Sequence, residues 1–298
     1  MPCSDENNGT TGAYGIRHVL APNPSPMTQN GTNSYLLGQG DVAVIDPGPL
    51  DEAHLAAILA ALGPDERITH ILVTHAHLDH SAGARALAAK TGAATYGFGA
   101  PQAGRSALMQ RLAEEGQLGG GEGIDHDFLP DHNLADGAQI TVGGARITAH
   151  HTPGHFSNHL SFEFGTTVFS GDVVMGWTST VISPPDGDLA SYFAALDRLE
   201  SLAPHQLLAG HGAPILAPRK RIGQLRAHRL ARHAQITEAT HAAPVCATTL
   251  ARQIYGDLPP RILQAATRNC LAHLIDMMEK DELSVAGPIT DQAIFQRR

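Results

Sequence analysis

At 298 residues, with 42% apolar and 16% charged side chains, the chain can bury one large core, or one large and one small. That composition excludes a fibrous or wholly disordered protein, and the net charge of −9 gives no overall basic footprint for nucleic acid. No stretch approaches the roughly 18 uninterrupted apolar residues of a membrane-spanning helix.

The opening segment, Met1 to Gly12, is polar and has no apolar core of a secretory signal; residues 1–16 are expected to be a disordered leader. Thr32–Leu37 and Val42–Ile45 read as two short strands joined through Gly38 to Asp41, and Asp46-Pro47-Gly48 ends the second. Asp46 is either a turn former or a partner standing behind a ligand histidine. His54, His205 and His228 fall on apparent helices or their ends and are expected at the surface.

Ile68–Val73 reads as a buried strand, and Ser81 to Lys90 as a helix with Ser81 as its N-cap. Between them lies the densest chemistry in the chain. Thr74-His75-Ala76-His77-Leu78-Asp79-His80 sets three imidazoles and a carboxylate on one turn. His75 and His77, two apart on extended backbone, point the same way and can share one metal. Asp79 and His80, from the following turn, can reach a second.

Residues 97–137 read as an insertion, with a helical run near Gln102 to Glu115 and then five glycines between Gly116 and Gly123. Such a loop is a flexible connector or a lid. Three later segments repeat one pattern, in which a His or Asp stands just beyond a strand and beside a glycine. Thr152-Pro153-Gly154-His155 follows Ala145–His151, Ser170-Gly171-Asp172 follows Thr166–Phe169, and Gly210-His211-Gly212 follows Gln206–Leu208. His151 and His159 flank the first of these and are candidates for a supporting or substrate role. Trp177, close after Asp172, is a packing residue or a pocket wall.

The motifs THAHLDH, TPGH, SGD and GHG, in this order and at these intervals, resemble the metallo-β-lactamase superfamily over roughly residues 17–217. The resemblance implies an α/β fold, a four-layer αββα sandwich with a dinuclear metal site at one edge. It implies that His75, His77 and His155 hold one metal, that Asp79, His80 and His211 hold the other, and that Asp172 bridges them. Imidazole and carboxylate ligands without Cys suit zinc first, with Mn and Fe as alternatives. Two such ions would share a hydroxide, the pKa of water falling from about 15.7 to about 7, as the nucleophile of a hydrolase. Asp79 would orient it or carry its proton. An aspartate at the bridging position resembles the glyoxalase II, lactonase, ribonuclease Z and phosphodiesterase branches more than the class B1 lactamases, which carry Cys there. A mononuclear iron dioxygenase related to glyoxalase II is a further alternative.

After residue 217 the metal motifs stop. Gln224 to Thr240, Val245 to Tyr255 and Pro260 to Glu279 read as helices, and Leu283 to Phe295 as an extended tail. This order resembles the winged-helix module that ends one lactamase-like subfamily containing endoribonucleases, so residues 218–298 are expected to form a small C-terminal domain. Residues 226–298 carry nine Lys and Arg against seven Asp and Glu, while residues 1–225 carry eleven against twenty-two. Neither part offers a strong phosphate-binding surface, so packing, dimerisation or shaping of the cleft is preferred to RNA binding for the C-terminal part.

Cys3, Cys246 and Cys270 are few, odd in number and far apart, and read as free thiols of a cytoplasmic protein. The expectation is therefore a dinuclear hydrolase acting on a small ester, thioester or lactone, with two divalent ions per chain and no membrane contact. An RNA phosphodiesterase is the runner-up, and a non-catalytic metal-containing scaffold the alternative of another class. Substrate identity and oligomeric state, a homo-oligomer included, stay open.

Overall fold

The computed structural model describes residues 15–121 and 123–298; the leader expectation over residues 1–14 and the thiol of Cys3 lie outside them. In chain order the first part runs β1 (Arg17–Leu20), β2 (Asn33–Gln39), β3 (Asp41–Ile45), α1 (Glu52–Ala60), β4 (Arg67–Leu72), α2 (Leu78–Ser81), α3 (Ala84–Thr91), β5 (Ala94–Gly97), α4 (Ala107–Glu115) and β6 (His132–Asn133). The second runs β7 (Gln139–Val142), β8 (Ala145–His151), β9 (Leu160–Phe164), β10 (Thr167–Gly171), α5 (Leu189–Ser201) and β11 (Gln206–Ala209). It ends in α6 (Pro218–Ala242), α7 (Ala247–Tyr255), α8 (Pro260–Glu279) and the strands β12 (Leu283–Val285) and β13 (Phe295–Arg297).

Two sheets carry the fold, in the orders β1-β2-β3-β4-β5-β6 and β11-β10-β9-β8-β7. From β3 onward the first sheet is parallel, whereas the second is antiparallel except for the β10–β11 pair. The inner faces meet through Leu37, Ile45, Leu72, Ile147, Phe162 and Phe169. Ile16, within the expected leader, already packs into this core. The outer face of the first sheet is covered by Leu55, Ile58 and Leu87 from α1 and α3, and that of the second by Tyr192, Leu196 and Leu225 from α5 and α6. Alternation along β8, Ala145, Ile147 and Ala149 inward, gives the two-residue period of a half-covered strand.

Three readings of local structure need correction. Ser81 does not cap the helix after the metal motif. It lies inside α2, where its hydroxyl donates to His77 O and Asp125, and the chain breaks at Gly83 before α3 begins. A Cβ on Gly83 would stand 2.9–3.1 Å from the carbonyls of Pro47, Gly48 and Pro49, so this close approach fixes the break. The helix of the insertion begins at Ala107 rather than Gln102, because Ser106 is its N-cap and accepts from Met109 N. His54 is not a surface residue: it is 1% exposed, below the loop that follows β3.

The C-terminal helices α6, α7 and α8 form a further core with α4, joining Leu108, Met109 and Leu112 to Leu250, Leu271 and Leu274. The expected extended tail is two short antiparallel strands, β12 and β13. The glycine-rich stretch of the insertion is tied down on both sides: Arg268 Nη1 donates to Leu118 O at 2.7 Å, and Asp125 N to Ala76 O at 2.9 Å. Among the described residues, no helix is long and apolar enough to cross a membrane.

Candidate metal centre

Five strands of the two sheets end at the same edge, and each delivers a polar side chain there. Asp46 follows β3, the His75 to His80 turn follows β4, His155 follows β8, Asp172 follows β10 and His211 follows β11. The β2 residues Asn33 and Tyr35 clasp the last loop: Asn33 Nδ2 donates to Ala209 O and Gly212 O at 2.9 Å, and Tyr35 Oη to Ala209 O at 2.8 Å. Gly210 lets that loop approach, since a Cβ there would meet Asp172 Oδ1 at 2.5 Å and His80 Cε1 at 2.6 Å.

All seven ligand residues named from the sequence converge. His75 Nε2 lies 2.9 Å from His77 Nδ1, which lies 3.1 Å from His155 Nε2. His211 Nε2 lies 3.3 Å from His80 Nε2 and 3.3 Å from Asp79 Oδ2. Asp172 stands between the two groups, its Oδ2 3.3 Å from His211 Nε2 and 3.8 Å from His155 Nε2, its Oδ1 3.7 Å from His80 Nε2. Three sets, His75–His77–His155, His75–His80–Asp172 and Asp79–His80–His211, keep their donor atoms within 4.8 Å of one another. Tetrahedral bonds of about 2.0–2.1 Å would space ligand atoms near these distances.

The outward ring nitrogens explain which atoms face inward. His75 Nδ1 donates to Thr74 Oγ1 at 3.0 Å, His80 Nδ1 to Asp46 Oδ2 at 2.8 Å, His155 Nδ1 to Val181 O at 2.7 Å and His211 Nδ1 to Gly31 O at 3.1 Å. In the neutral ring, each bond fixes the tautomer that puts the lone pair on Nε2. Lone pairs packed this closely cannot satisfy one another, and Asp172 Oδ1 is buried without a hydrogen-bond partner. The donor set therefore fits divalent cations.

Without metal, the electrostatics divide the imidazoles into two groups, His75 and His77 lowered and His80 and His211 raised. Burial, then the neighbouring imidazoles, holds His75 well below the usual range, and burial with His155 brings His77 down to about 3. Burial opposes protonation of His211, but Asp172 and Asp79 outweigh it and lift the ring to about 10. Burial likewise opposes ionisation of Asp79, and His80 and His211 overcome it to hold the carboxyl below its ordinary value. His77, Asp79 and His155 are the half-buried members and mark the open side of the cluster.

Of the supporting residues named from the sequence, two are in place. Asp46 accepts from Thr74 N at 2.7 Å, from Thr74 Oγ1 at 2.8 Å and from His80. His159 is fully buried, stacks on His75 with ring centroids 5.1 Å apart, and accepts from Asp172 N at 3.2 Å. His151 is not: its Nε2 donates to Ser157 O at 2.9 Å and its ring stacks on Phe98 at 3.8 Å, so it supports a loop and touches no ligand. Sequence reasoning missed the relay below Asp46. His54 Nε2 donates to Ser34 Oγ at 2.8 Å, and that hydroxyl donates to Asp46 O. It also missed Thr32, whose Oγ1 donates to Asp79 Oδ2 at 3.3 Å. Trp177 lines a cavity of about 560 Å³ with Gln29, Ile215, Leu216, Lys220 and Arg221, and packs against Gly212.

A fold of two covered sheets with this histidine and aspartate edge defines a metal-dependent hydrolase class. The family model "Metallo-beta-lactamase superfamily" matches residues 27–211, and the chain belongs to that superfamily. It is 29% identical over 282 residues to the Beta-lactamase-like protein 2 homolog of Drosophila melanogaster, covering 91% of this chain and 90% of that protein. It is 30% identical over 216 residues to the Atrochrysone carboxyl ACP thioesterase of Aspergillus fumigatus, 70% of this chain and 59% of that one. A metallo-beta-lactamase family protein of Thermus thermophilus shares the fold with a TM-score of 0.75 at 24% identity, covering 95% of this chain and 98% of its own.

Proposed function

We propose that the chain is a dinuclear metal-dependent hydrolase of a small thioester, ester or lactone. The observation that carries this reading is the convergence of seven side chains from the ends of four strands, four of the imidazoles bonded outward through Nδ1 with Nε2 turned inward. His75, His77 and His155 would hold one ion, Asp79, His80 and His211 the other, with Asp172 between them, and zinc fits this nitrogen and oxygen set first. When bound, such ions lower the pKa of water to about 7 and polarise an acyl oxygen.

The protein's own groups then divide the work. Asp79, ionised and steadied by Thr32, is placed on the open side to orient a water and take its proton. Asp46 and His159 keep His80 and Asp172 from turning away. The cavity beside Trp177, walled by Ile215 and Leu216 with Lys220 and Arg221, would take the rest of a substrate. A thioester leads the list because two relatives carry that activity in their names.

Residues 17–217 would form the catalytic unit and 218–298 a winged-helix-like one, supported by the order α6, α7, α8, β12, β13. That order alone does not favour RNA, because the C-terminal part carries little net positive charge. Buried Cys246 and Cys270, both free, agree with a cytoplasmic location. Initial rates on a thioester, a lactone, a cephalosporin and a short RNA, with and without chelator and across a salt series, test the reading. Chelator-sensitive, salt-tolerant turnover of the thioester or lactone is expected; turnover of RNA alone, falling steeply with salt, would contradict it.

A further inference from the structure

Two of the candidate ligand histidines are oriented by peptide carbonyls rather than by side chains, His211 by Gly31 O and His155 by Val181 O. His155 Nδ1 ends on Val181 O, in the irregular stretch between Asp172 and α5. No helix or sheet ladder holds Val181. The groups that hold it come from the C-terminal helices.

Arg229, on α6, is 2% exposed. Its Nη2 donates to Thr180 O, and its Nη1 to Asn269 Oδ1 of α8 at 2.8 Å. That same Asn269 Oδ1 accepts from Ile182 N at 3.0 Å. The polar groups on both sides of Val181 thus end on one Arg–Asn pair. Thr180 also donates from Oγ1 to Asp172 O at 2.7 Å, so the pair reaches two ligands, His155 and Asp172, through one short segment.

Packing alone is a poor reason for this arginine. A buried guanidinium carries a large desolvation cost, and the partners of Arg229 are a carbonyl, an amide oxygen and the Tyr192 ring, not a carboxylate. Its Nε is buried without a partner. What Arg229 supplies that an apolar side chain cannot is a forked donor set of fixed geometry.

We infer that Arg229 and Asn269 are positioning residues of the metal centre: they fix the Thr180–Ile182 peptides so that Val181 O aims His155 and Thr180 steadies Asp172. The C-terminal helices therefore complete the centre without supplying a ligand. The inference rests on the metal-binding reading proposed above.

Cobalt titration of the metal-stripped full chain against a chromophoric chelator, followed by the visible absorption of bound Co²⁺, tests it. Wild type should take up two equivalents. In Asn269→Leu and Arg229→Met, affinity for at least one equivalent should fall by about 10- to 100-fold and the cobalt spectrum should change. Asn269→Asp, which keeps the acceptor oxygen, should restore both. Where Arg229→Met fails to fold, Asn269→Leu carries the test, because Asn269 is only half-buried. Two unchanged equivalents with an unchanged spectrum in Asn269→Leu would overturn the inference. A wild type that binds no cobalt would instead overturn the metal reading beneath it.

Discussion

Asp46 Oδ2 and His80 Nδ1 lie 2.8 Å apart, both buried, and this contact decides which way the His80 ring faces. Asp46 holds a positive φ of 52°, uncommon outside glycine, and its second oxygen is occupied by Thr74 N. The carboxylate is thus pinned from its backbone and from its far side before it meets His80. Asp46→Ala should free the His80 ring and weaken the Asp79–His80–His211 site by about 10- to 100-fold in metal affinity. Chelator competition would read it, and unchanged affinity would show that His80 needs no such support.

Asp172 touches both ligand groups and has one oxygen without a hydrogen-bond partner. Asp172→Ala should lower occupancy of both metals and abolish hydrolysis, with far-ultraviolet circular dichroism retained. His211→Ala should empty one site and spare the other. Metal analysis of the two variants side by side checks the partition; equal loss of both metals in His211→Ala would refute it.

The close approach at Gly210 gives a sharper steric test. A methyl group there must displace Asp172 Oδ1 or His80, because it would stand 2.5 and 2.6 Å from them. Gly210→Ala should therefore lose metal and turnover at least as severely as Asp46→Ala. Full metal content in a folded Gly210→Ala protein would mean that the ligands have room the structure does not show.

These supports show where the sequence was legible. The His75 to His80 turn announced itself because its candidate ligands are neighbours in the chain, and the glycine motifs at 154, 171 and 210 because each bends a strand end toward the cluster. Asp46 was half legible as a turn residue. His54 was misread because α1 carries Ala, Leu and Ile on nearly every side, which hides the buried face; only the tertiary fold sets His54 under Ser34. Val181, Arg229 and Asn269 left no pattern, since a carbonyl has no residue signature and the side chains that hold its neighbours, Arg229 on Thr180 and Asn269 on Ile182, arrive from 49 and 87 positions away. The start of α4 at Ser106 depended on a contact from Ser106 Oγ to Asp188, again beyond local reach.

His273 gives a prediction about stability rather than metal. Both its ring nitrogens are buried without a partner, and burial, then Arg229 and His233, brings its pKa down to about 3. Above about 6.5 the ring is neutral in folded and unfolded chains alike, and it adds no pH dependence. As pH falls from 6.5 toward 3, only the unfolded chain takes up this proton, so stability is lost across that window and levels off below it. His273→Leu should flatten this acid-side loss and stabilise the protein at pH 7 by about 1 kcal/mol, by removing an unsatisfied polar ring. Urea unfolding of the variant and wild type at pH 5 and pH 7 would show it; an unchanged difference between the two pH values would contradict the assignment.

The most direct measurement is metal stoichiometry on the purified full chain, by elemental analysis after dialysis against metal-free buffer. Two divalent ions per chain, both lost to chelator together with hydrolytic activity, are expected from seven converging ligands with Asp172 between two groups. A single ion with full hydrolytic activity, or activity that survives complete removal of metal, would contradict the dinuclear centre.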